Sequence, residues 1–307
     1  MAVKELYVVK RPYVFAGIEG DREKAVFIIL GVPLDTTASY RSGQRFAPFF
    51  IREASINIES NAYFFEGFID EVQIYDEGDL VVVHGDVLES LERLVAVTEE
   101  LVNEGKRIVA IGGEHIMSFA IAKGLARAGY KPCLLVFDAH LDLRSDYLGV
   151  RFSHACIVRR VLEALGDIKI AYIGTRAYSR EEVDFVRTKP SVQVVYARTI
   201  ETLGLANVSA IVKRHLSGCE HIYLTIDMDV YDPSFAPGVG NPEPVGLTPR
   251  EVLPLIAKLT DERVIAIDVV EVAPPFDVGG VTSVLAAKTL QEAVLAVNSS
   301  LVRSREL

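Results

Sequence analysis

Three ionisable side chains alternate in the sequence DAHLDLR, directly after the apolar run CLLVF of residues 133–137. They are Asp138, His140 and Asp142. Side chains at i, i+2 and i+4 of an extended chain share one face, so these three would point the same way. Such groups repel one another unless a cation lies between them. We therefore predict a cation site here; the alternative is a strand end that opens into a solvated polar loop.

Three more apolar runs end in residues of the same chemical kind. His115 follows RIVAI in the sequence GGEH, Asp227 and Asp229 follow HIYLTI, and Glu271 follows RVIAIDVV. A glycine turn before a helix can also hold a phosphate, but Glu114 and the absence of a Walker lysine argue against that here. Each motif alone is weak, because a single histidine or an Asp-x-Asp pair is usually structural. Together, two imidazoles and four aspartates at strand ends indicate a two-metal site.

Apolar, β-branched runs alternate with helical patterns along the chain. The runs lie at residues 26–31, 72–75, 107–111, 133–137, 168–173, 192–196, 221–226 and 263–269. The helical patterns lie at 49–58, 87–103, 116–128, 155–165, 179–187, 206–216, 249–259 and 282 to about 303. This alternation predicts one three-layer α/β/α domain over residues 1–307, with a mainly parallel sheet of about eight strands. Ligands of such sheets bind outside the carboxyl ends of the strands, where the polar motifs occur.

The count of charges also predicts two divalent ions. Four aspartates carry four negative charges, which two divalent cations would neutralise: Asp138, Asp142, Asp227 and Asp229. A hydroxide between the ions would add one negative charge and leave room for one monocation, such as a guanidinium substrate. Oxygen and imidazole ligands without a thiolate favour two Mn²⁺, with Co²⁺, Fe²⁺, Ni²⁺ or Zn²⁺ as substitutes.

The composition is typical of a cytoplasmic enzyme. A net charge of −10 over 307 residues argues against a nucleic-acid partner. The N-terminal sequence MAVKELYVVKRPYVF lacks the apolar core of a signal peptide, and the longest apolar run, AVFIILGVPL, is too short to span a bilayer. The three cysteines form no CxxC pair and are odd in number. We therefore expect no disulfide, no cysteine zinc site and a reducing compartment. The absence of Trp and the excess of Arg over Lys favour a thermophilic source.

Five motifs in this order and at these spacings resemble the ureohydrolase family of arginases and agmatinases. They are GGEH, DAHLD, the SHA of residues 153–155, DMDVYDPSFAPG and DVVEVAPPFD, and SGQRFAPFFIREAS near the N-terminus also matches. The resemblance covers nearly the whole chain. It implies hydrolysis of a guanidino group to urea and an amine, by a water whose pKa two metal ions lower.

The resemblance also implies two overlapping sets of metal ligands. The first set is His115, Asp138, Asp142 and Asp227, and the second is Asp138, His140, Asp227 and Asp229. Asp138 and Asp227 would bridge the two ions, about 3.5–4 Å apart.

Three further residues take catalytic or structural roles by the same resemblance. His154 is the expected proton shuttle, although Ser153 and His154 could instead be polar residues at a helix start. Many relatives have His-Gly where this chain has His154-Ala155. Glu271 is the expected guanidinium-binding carboxylate, with a solvated strand end as the alternative. Asp277 belongs to the same motif, and either a structural or a catalytic role is open to it.

The substrate prediction depends on Arg144, which stands where arginases carry Asn. An arginine could hold a carboxylate, yet this context is more like archaeal agmatinases. We expect agmatine, with Asp146 as a possible acidic lip for its ammonium group. The alternative substrates are N1-aminopropylagmatine, then arginine or guanidinobutyrate. An alternative of a different class is a catalytically silent paralogue that binds a ligand or serves as an assembly subunit. The resemblance further implies a homo-oligomer, a trimer or hexamer.

The remaining candidate groups are predicted to be structural. His84 lies in a probable turn, His215 on a helix surface and His221 at a strand start. Cys156, two residues from His154, is expected to be a packed thiol and not a nucleophile.

Overall fold

The computed structural model describes residues 2–306, with side chains for residues 2–304, and these residues surround one sheet. Its strands within these bounds are β1 (Val8–Val9), β2 (Phe27–Gly31), β3 (Ile74–Leu80), β4 (Arg107–Ile111), β5 (Cys133–Phe137), β6 (Ile170–Thr175), β7 (Val192–Tyr196), β8 (Ile222–Asp227) and β9 (Val264–Val270). The spatial order is β1-β3-β2-β4-β9-β8-β5-β6-β7. Every neighbouring pair is parallel except β1 and β3.

The helices cover both faces of this sheet. They are α1 (Val3–Tyr7), α2 (Ala47–Ile56), α3 (Val87–Asn103), α4 (Met117–Arg127), α5 (Ile157–Leu165), α6 (Arg180–Arg187), α7 (Ala197–His215), α8 (Pro249–Leu259) and α9 (Val281–Glu306). One core lies between the sheet and α2, α7, α8 and α9; the other lies under α1 and α3 to α6. Ile29 enters the first core and Ile28 the second, because successive strand residues face opposite sides.

Local sequence explains where several helices begin. Ser179 caps α6 and pairs reciprocally with Glu182, and at the start of α8 Thr248 N and Oγ1 both donate to Glu251 Oε2. The arrangement at α6 is a capping box, in which two otherwise unpaired backbone N–H groups find acceptors. Pro249 occupies the first turn of α8, where a missing N–H costs nothing.

The predicted three-layer α/β/α class and its eight strands are confirmed, and three details differ. The short pair α1 and β1 was missed, because a five-residue helix and a two-residue strand carry no measurable period. The sheet therefore has a ninth strand, an antiparallel edge. Helix α7 begins at Ala197, nine residues earlier than its apolar period indicated, and Gly204, with a φ of 73°, interrupts it.

One helix, Val278–Ser304, is long and apolar enough to cross a membrane by length and composition alone. Within its apolar window, 72% is buried inside the protein. That burial is what a core helix of a folded domain requires, because its apolar residues face other elements on several sides.

The expectation that the cysteines are unpaired was wrong. Cys133 and Cys219 form a disulfide, with their Cα atoms 6.1 Å apart, and Cys156 is the free, buried thiol. The two bonded residues are 86 positions apart. Cys133 opens β5 and Cys219 precedes β8, the strand that pairs with β5. Cysteine spacing could not reveal this pair, because only the sheet order brings the two strand starts together. The bridge also removes the cysteine argument for a reducing compartment, because that argument assumed unpaired cysteines. A disulfide does not by itself indicate an oxidising compartment either, since intracellular proteins of hyperthermophiles are disulfide-rich.

We predict that reducing this bridge lowers the melting temperature, by a loss of about 2–4 kcal/mol in the free energy of unfolding. The cause is the freedom that the unfolded chain gains when its long loop is opened. Thermal unfolding with and without reductant measures the effect, and the variant Cys133→Ser/Cys219→Ser should match the reduced protein and no longer respond to reductant. Thiol titration of the denatured, unreduced protein should give one thiol. Three thiols would contradict the bridge.

Candidate active site

The four polar motifs meet because their strands are consecutive in the sheet. Strands β4, β9, β8 and β5 are neighbours in that order, and their carboxyl ends lead to His115, Glu271, Asp227 and Asp138. A cavity of about 460 Å³ opens at this edge, a size suited to a small molecule. Its lining includes His140, Asp142, His154, Asp227, Asp229 and Glu271.

His115 faces three carboxylates from the centre of this cluster. Its Nδ1 lies 3.2 Å from Asp138 Oδ2, 3.1 Å from Asp142 Oδ2 and 3.3 Å from Asp227 Oδ2. Both His115 Nδ1 and Asp138 Oδ2 are buried and form no hydrogen bond with adequate geometry. Buried polar atoms without partners are costly, so these atoms are positioned for a ligand that the protein itself does not supply.

The other ring nitrogen explains why Nδ1 is free. Thr225 donates its hydroxyl to Asp268 Oδ1 at 2.6 Å, so Thr225 Oγ1 can only accept from His115 Nε2–H, 3.0 Å away. Ser118 and Tyr223 also donate to Asp268. This buried network places the proton on Nε2 and leaves the Nδ1 lone pair directed at the carboxylates, as a metal-ligating histidine requires.

A second group shares Asp138 with the first. His140 Nδ1 lies 2.9 Å from Asp229 Oδ2 and 3.7 Å from Asp138 Oδ1. The potential ligand atoms of Asp138, His140 and Asp229 all lie within 4.8 Å of one another, as do those of His115, Asp138 and Asp142. Each group could therefore hold one metal ion. Together they contain five of the six sequence-predicted ligands. The sixth, Asp227, lies beside them, with its Oδ2 3.3 Å from His115 Nδ1.

The protonation equilibria show how strongly the cluster lacks positive charge. Burial and the charge of Asp138 raise the pKa of Asp142 to about 7. Burial and the charges of Asp229 and Asp138 raise the pKa of Asp227 well above its usual range. Burial alone would lower the pKa of His115, but its three facing carboxylates outweigh burial and raise it. Protons thus take the place that divalent cations would fill, and the mixed oxygen and imidazole donors suit such cations.

Glu271 is held rigidly beside the cluster. His115 N donates to its Oε1 at 2.8 Å, and Gln44 Nε2 donates to its Oε2 at 2.9 Å. Burial raises the pKa of Glu271 to about 7. Its φ of 67° lies in the left-handed region, and Asp142 has a φ of 50°. Such backbone strain in non-glycine residues is retained mainly at functional sites.

His154 lies in the cavity wall, where a chain of hydroxyls orients it. Thr37 Oγ1 accepts from His154 N at 3.0 Å and lies 3.4 Å from Nδ1, while Ser39 Oγ lies 3.2 Å from Nε2. Thr37 donates its own proton to Glu114 Oε2 at 2.5 Å. A Thr37 hydroxyl that donates to Glu114 can only accept from Nδ1–H, which favours the tautomer with Nε2 as the basic nitrogen. Ser153 Oγ also lies 3.4 Å from Nδ1. Burial lowers the pKa of His154 to about 4, so the ring is neutral at neutral pH.

Three sequence-predicted residues lie outside the chemistry or are already paired. Arg144 lines the cavity, but its guanidinium stacks 5.2 Å from the Tyr147 ring and lies 4.0 Å from Glu182. Asp146 does not line the cavity. Asp277 accepts from Thr282 N, Ser283 N and Ser283 Oγ at the start of the last helix, which is a structural role.

The structural assignments of the other histidines and of Cys156 agree with their positions. His84, His215 and His221 do not line the cavity. His215 Nε2 contacts the Ser191 carbonyl and the His221 ring packs on Tyr130. Burial raises the pKa of the Cys156 thiol to about 11, which makes it unreactive.

Sequence reasoning missed six residues of this site. They are Thr37, Ser39, Gln44, Glu114, Arg176 and Glu243. A signal existed for the first three. The polar stretch DTTASYRSGQ follows β2, which lies beside β4 in the sheet, so its carboxyl end reaches the same edge.

A paired His and Asp cluster at the carboxyl edge of a three-layer α/β/α sheet defines a metal-dependent hydrolase. Residues 25–296 match the sequence profile of the Arginase family. The chain belongs to this family.

Proteins named as ureohydrolases are among those similar to this chain. The N(1)-aminopropylagmatine ureohydrolase of Thermococcus kodakarensis is 40% identical over 87% of this chain and 89% of its own length. The agmatinase of Pyrococcus horikoshii is 38% identical over 88% of this chain and 91% of its own. The crystal structure of agmatine ureohydrolase from Thermoplasma volcanium superposes with a TM-score of 0.85 at 32% identity, covering 96% of this chain and 97% of that one.

We predict that Mn²⁺ binding releases protons and weakens as the pH falls from 8 to 6. The pKa values of His115, His140, Asp142 and Asp227 are raised, so a metal ion must displace protons from these groups. Each displaced proton weakens binding about tenfold per pH unit below the pKa. Calorimetric titration in two buffers of different ionisation enthalpy measures both quantities. Equal affinity at pH 6 and 8, without proton release, would show that the ion binds elsewhere.

Proposed function

We propose that this protein hydrolyses agmatine to putrescine and urea. The cluster around His115 carries the proposal, because its Nδ1 and Asp138 Oδ2 are buried without hydrogen-bond partners. They lie directly behind Asp142 and Asp227, which line a cavity that also contains the Glu271 carboxylate. That combination supplies sites for two cations and one acceptor for a guanidinium. The similarity to proteins named agmatinase and N(1)-aminopropylagmatine ureohydrolase supports a linear guanidino substrate.

Six residues would hold the two ions, which we propose to be Mn²⁺. His115, Asp138, Asp142 and Asp227 would hold one, and Asp138, His140, Asp227 and Asp229 the other. When bound, the ions would supply a water of low pKa and offset the carboxylate charge. Co²⁺, Fe²⁺, Ni²⁺ or Zn²⁺ could replace Mn²⁺, because the same oxygen and imidazole donors also bind these ions.

Glu271 would orient the guanidinium for attack. Gln44 and the His115 amide direct its carboxylate, and a bound guanidinium would lower its raised pKa and keep it ionised. The ion pair fixes the guanidinium carbon in front of the cluster. Positioning of this kind supplies much of the rate in a reaction with little covalent chemistry for the protein to perform.

His154 would carry the proton between the attacking water and the departing amine. Its Nε2 is basic because the proton resides on Nδ1, and its neutral ring can accept first and donate afterwards. Asp142 would assist by stabilising positive charge near the reacting centre.

The choice among guanidino substrates depends on what remains free in the cavity. Arg144 is engaged by Glu182 and Tyr147, so it offers little to the carboxylate of arginine or guanidinobutyrate. N1-aminopropylagmatine is the second candidate, favoured by the 40% identical relative that bears its name. A silent paralogue, which would bind ligand or act as an assembly subunit, is disfavoured because all six ligand candidates and His154 are present.

We also propose a cytoplasmic homo-oligomer, a trimer or hexamer, with no nucleic-acid or membrane partner. Large aromatic side chains such as Phe46, Phe49 and Tyr63 are exposed on the single chain, as subunit contacts require. Size-exclusion chromatography with light scattering measures the number of subunits. A monomer at micromolar concentration would exclude the oligomer.

The primary test is urea release from agmatine by Mn²⁺-loaded protein. We expect activity in the wild type and a loss of at least about a hundredfold in Asp227→Asn, because this substitution removes a ligand from both ion sites. Asp184→Asn, a surface change on α6, should retain full activity. Aminopropylagmatine and arginine are assayed in parallel. If the metal-loaded protein releases no urea from any guanidino substrate, the proposal that it is a ureohydrolase is refuted.

A second test concerns the hydroxyl that orients His154. Thr37→Val removes the acceptor of Nδ1–H, so we expect kcat to fall about tenfold, KM to change little, and the pH profile of kcat to shift. Thr37→Ser keeps the hydroxyl and should recover most of the rate. His154→Asn should lose about 10²–10⁴-fold. If the Val and Ser variants behave alike, the hydroxyl has no part in proton transfer.

A further inference from the structure

The carboxylates of the active-site cavity differ in whether they have partners. Six line it: Asp142, Glu182, Asp227, Asp229, Glu243 and Glu271. The three aspartates belong to the cation cluster. Glu271 is held by Gln44 and the His115 amide. Glu182 accepts from Ser179 and from Leu143 N and lies near Arg144.

Glu243 is the remaining acid of this cavity. Its carboxylate forms no hydrogen bond and no ion pair within 4.0 Å among the residues that the structure describes, and it is only partly exposed. The cation that interacts with it electrostatically is Arg176. The Arg176 guanidinium is committed to backbone carbonyls, including those of Gly174 and Val230. A half-buried carboxylate without a partner in a substrate cavity is placed for a charged group of the ligand.

The backbone of Glu243 is fixed relative to the cation cluster. A single nitrogen, Arg176 Nη2, donates to the Glu243 carbonyl at 2.8 Å and to the carbonyl of Asp229 at 2.7 Å. Arg176 Nε donates to the Pro244 carbonyl at 3.1 Å. Prolines on both sides of Glu243, in the sequence NPEP, further restrict the loop. The carboxylate is therefore presented from a rigid position.

The same loop reaches back to Glu271, which lies at the guanidinium end of the cavity. Gly240 N donates to the Glu271 carbonyl at 3.2 Å, and a Cβ on Gly240 would lie 2.6 Å from Glu271 Oε2. Glu243 is three residues further along, so the chain between them spans at most about 11 Å. This limit keeps Glu243 in the same part of the cavity as Glu271, so one extended small molecule could contact both carboxylates.

The wall of the cavity suits the methylene chain and the cation at its end. Tyr147 and Tyr178 both line it, and the Tyr147 ring already carries Arg144. Tyr178 is 42% exposed and packs by its edge on Tyr196, at 5.6 Å, and no cation of the described side chains, residues 2–304, lies over its ring. A tyrosine ring and an unpaired carboxylate that line the same cavity are a favourable environment for an ammonium group.

We propose that Glu243 is the specificity-determining residue that binds the distal ammonium group of the substrate. This inference rests on the proposed hydrolysis of a guanidino compound and deepens it. Substrates with a cationic tail are selected, whether the tail is a primary amine or a longer polyamine. Carboxylate tails, as in guanidinobutyrate, are repelled by Glu243 and are not held by Arg144.

The test compares two isosteric substrates in the Mn²⁺-loaded enzyme. Agmatine ends in an ammonium group, and pentylguanidine ends in a methyl group of similar size. For Glu243→Gln we expect the KM for agmatine to rise about 10- to 100-fold with kcat within about twofold, and kcat/KM for pentylguanidine to change less than about twofold. Glu243→Lys should additionally improve guanidinobutyrate. Asp146→Asn, an acid outside the cavity, serves as the matched control and should keep the wild-type preference.

Equal loss on agmatine and pentylguanidine in Glu243→Gln would overturn the proposal, as would loss of the preference in Asp146→Asn instead. A wild type that releases urea from another guanidine but not from agmatine refutes the proposed substrate alone. Glu243 is then tested by competitive inhibition, in which agmatine should bind better than pentylguanidine only when Glu243 is present. Equal inhibition by both compounds in the wild type would again refute the role of Glu243.

Discussion

The mutual repulsion of buried carboxylates is the constraint on which the site depends. Asp138, Asp142, Asp227 and Asp229 lie at the ends of two adjacent strands, and desolvation makes their charges expensive. The rest of the fold must hold them together against that repulsion. Parallel pairing of β4, β9, β8 and β5 does so with backbone hydrogen bonds, and the Cys133–Cys219 bridge fastens the other ends of β8 and β5. Cations bound there would relieve this repulsion and would also supply a water of low pKa for the reaction.

Behind these charges lies a layer of hydroxyls that decides which nitrogen of each histidine carries a proton. Thr225 does this for His115 by way of Asp268, and Thr37 does it for His154 by way of Glu114. In both cases the hydroxyl donates its hydrogen bond to a buried carboxylate, so it can only accept a hydrogen bond from the imidazole. One arrangement frees a nitrogen for metal, and the other frees a nitrogen for proton transfer.

How far the sequence predicts this protein follows from where each feature is encoded. The runs RIVAI and CLLVF reveal their strands, and the polar residues after them reveal the cation cluster, because both depend on neighbours in sequence. Other features depend on residues that are far apart in sequence. The disulfide joins residues 86 positions apart, and the contact of Thr37 with His154 spans 117. The hydrogen bond from Arg176 that holds the Glu243 backbone spans 67. Periodicity and spacing carry no information about such pairs. Asp146 shows the converse, since an acid near the motif in sequence lies outside the cavity.

The division between strands and loops explains why the reaction is easier to predict than the substrate. The cation cluster and Glu271 lie at strand ends, where the hydrogen bonds of the sheet fix their positions. Substitutions at these residues would therefore disturb the reaction. Arg144, Tyr178 and Glu243 line the cavity from loops that follow three different strands, β5, β6 and β8. A loop exchange can therefore replace an ammonium site with a carboxylate site without disturbing the cluster. Substrate identity in such a fold resides in the cavity residues that lack partners of their own, because a group already paired within the protein has little left to offer a ligand.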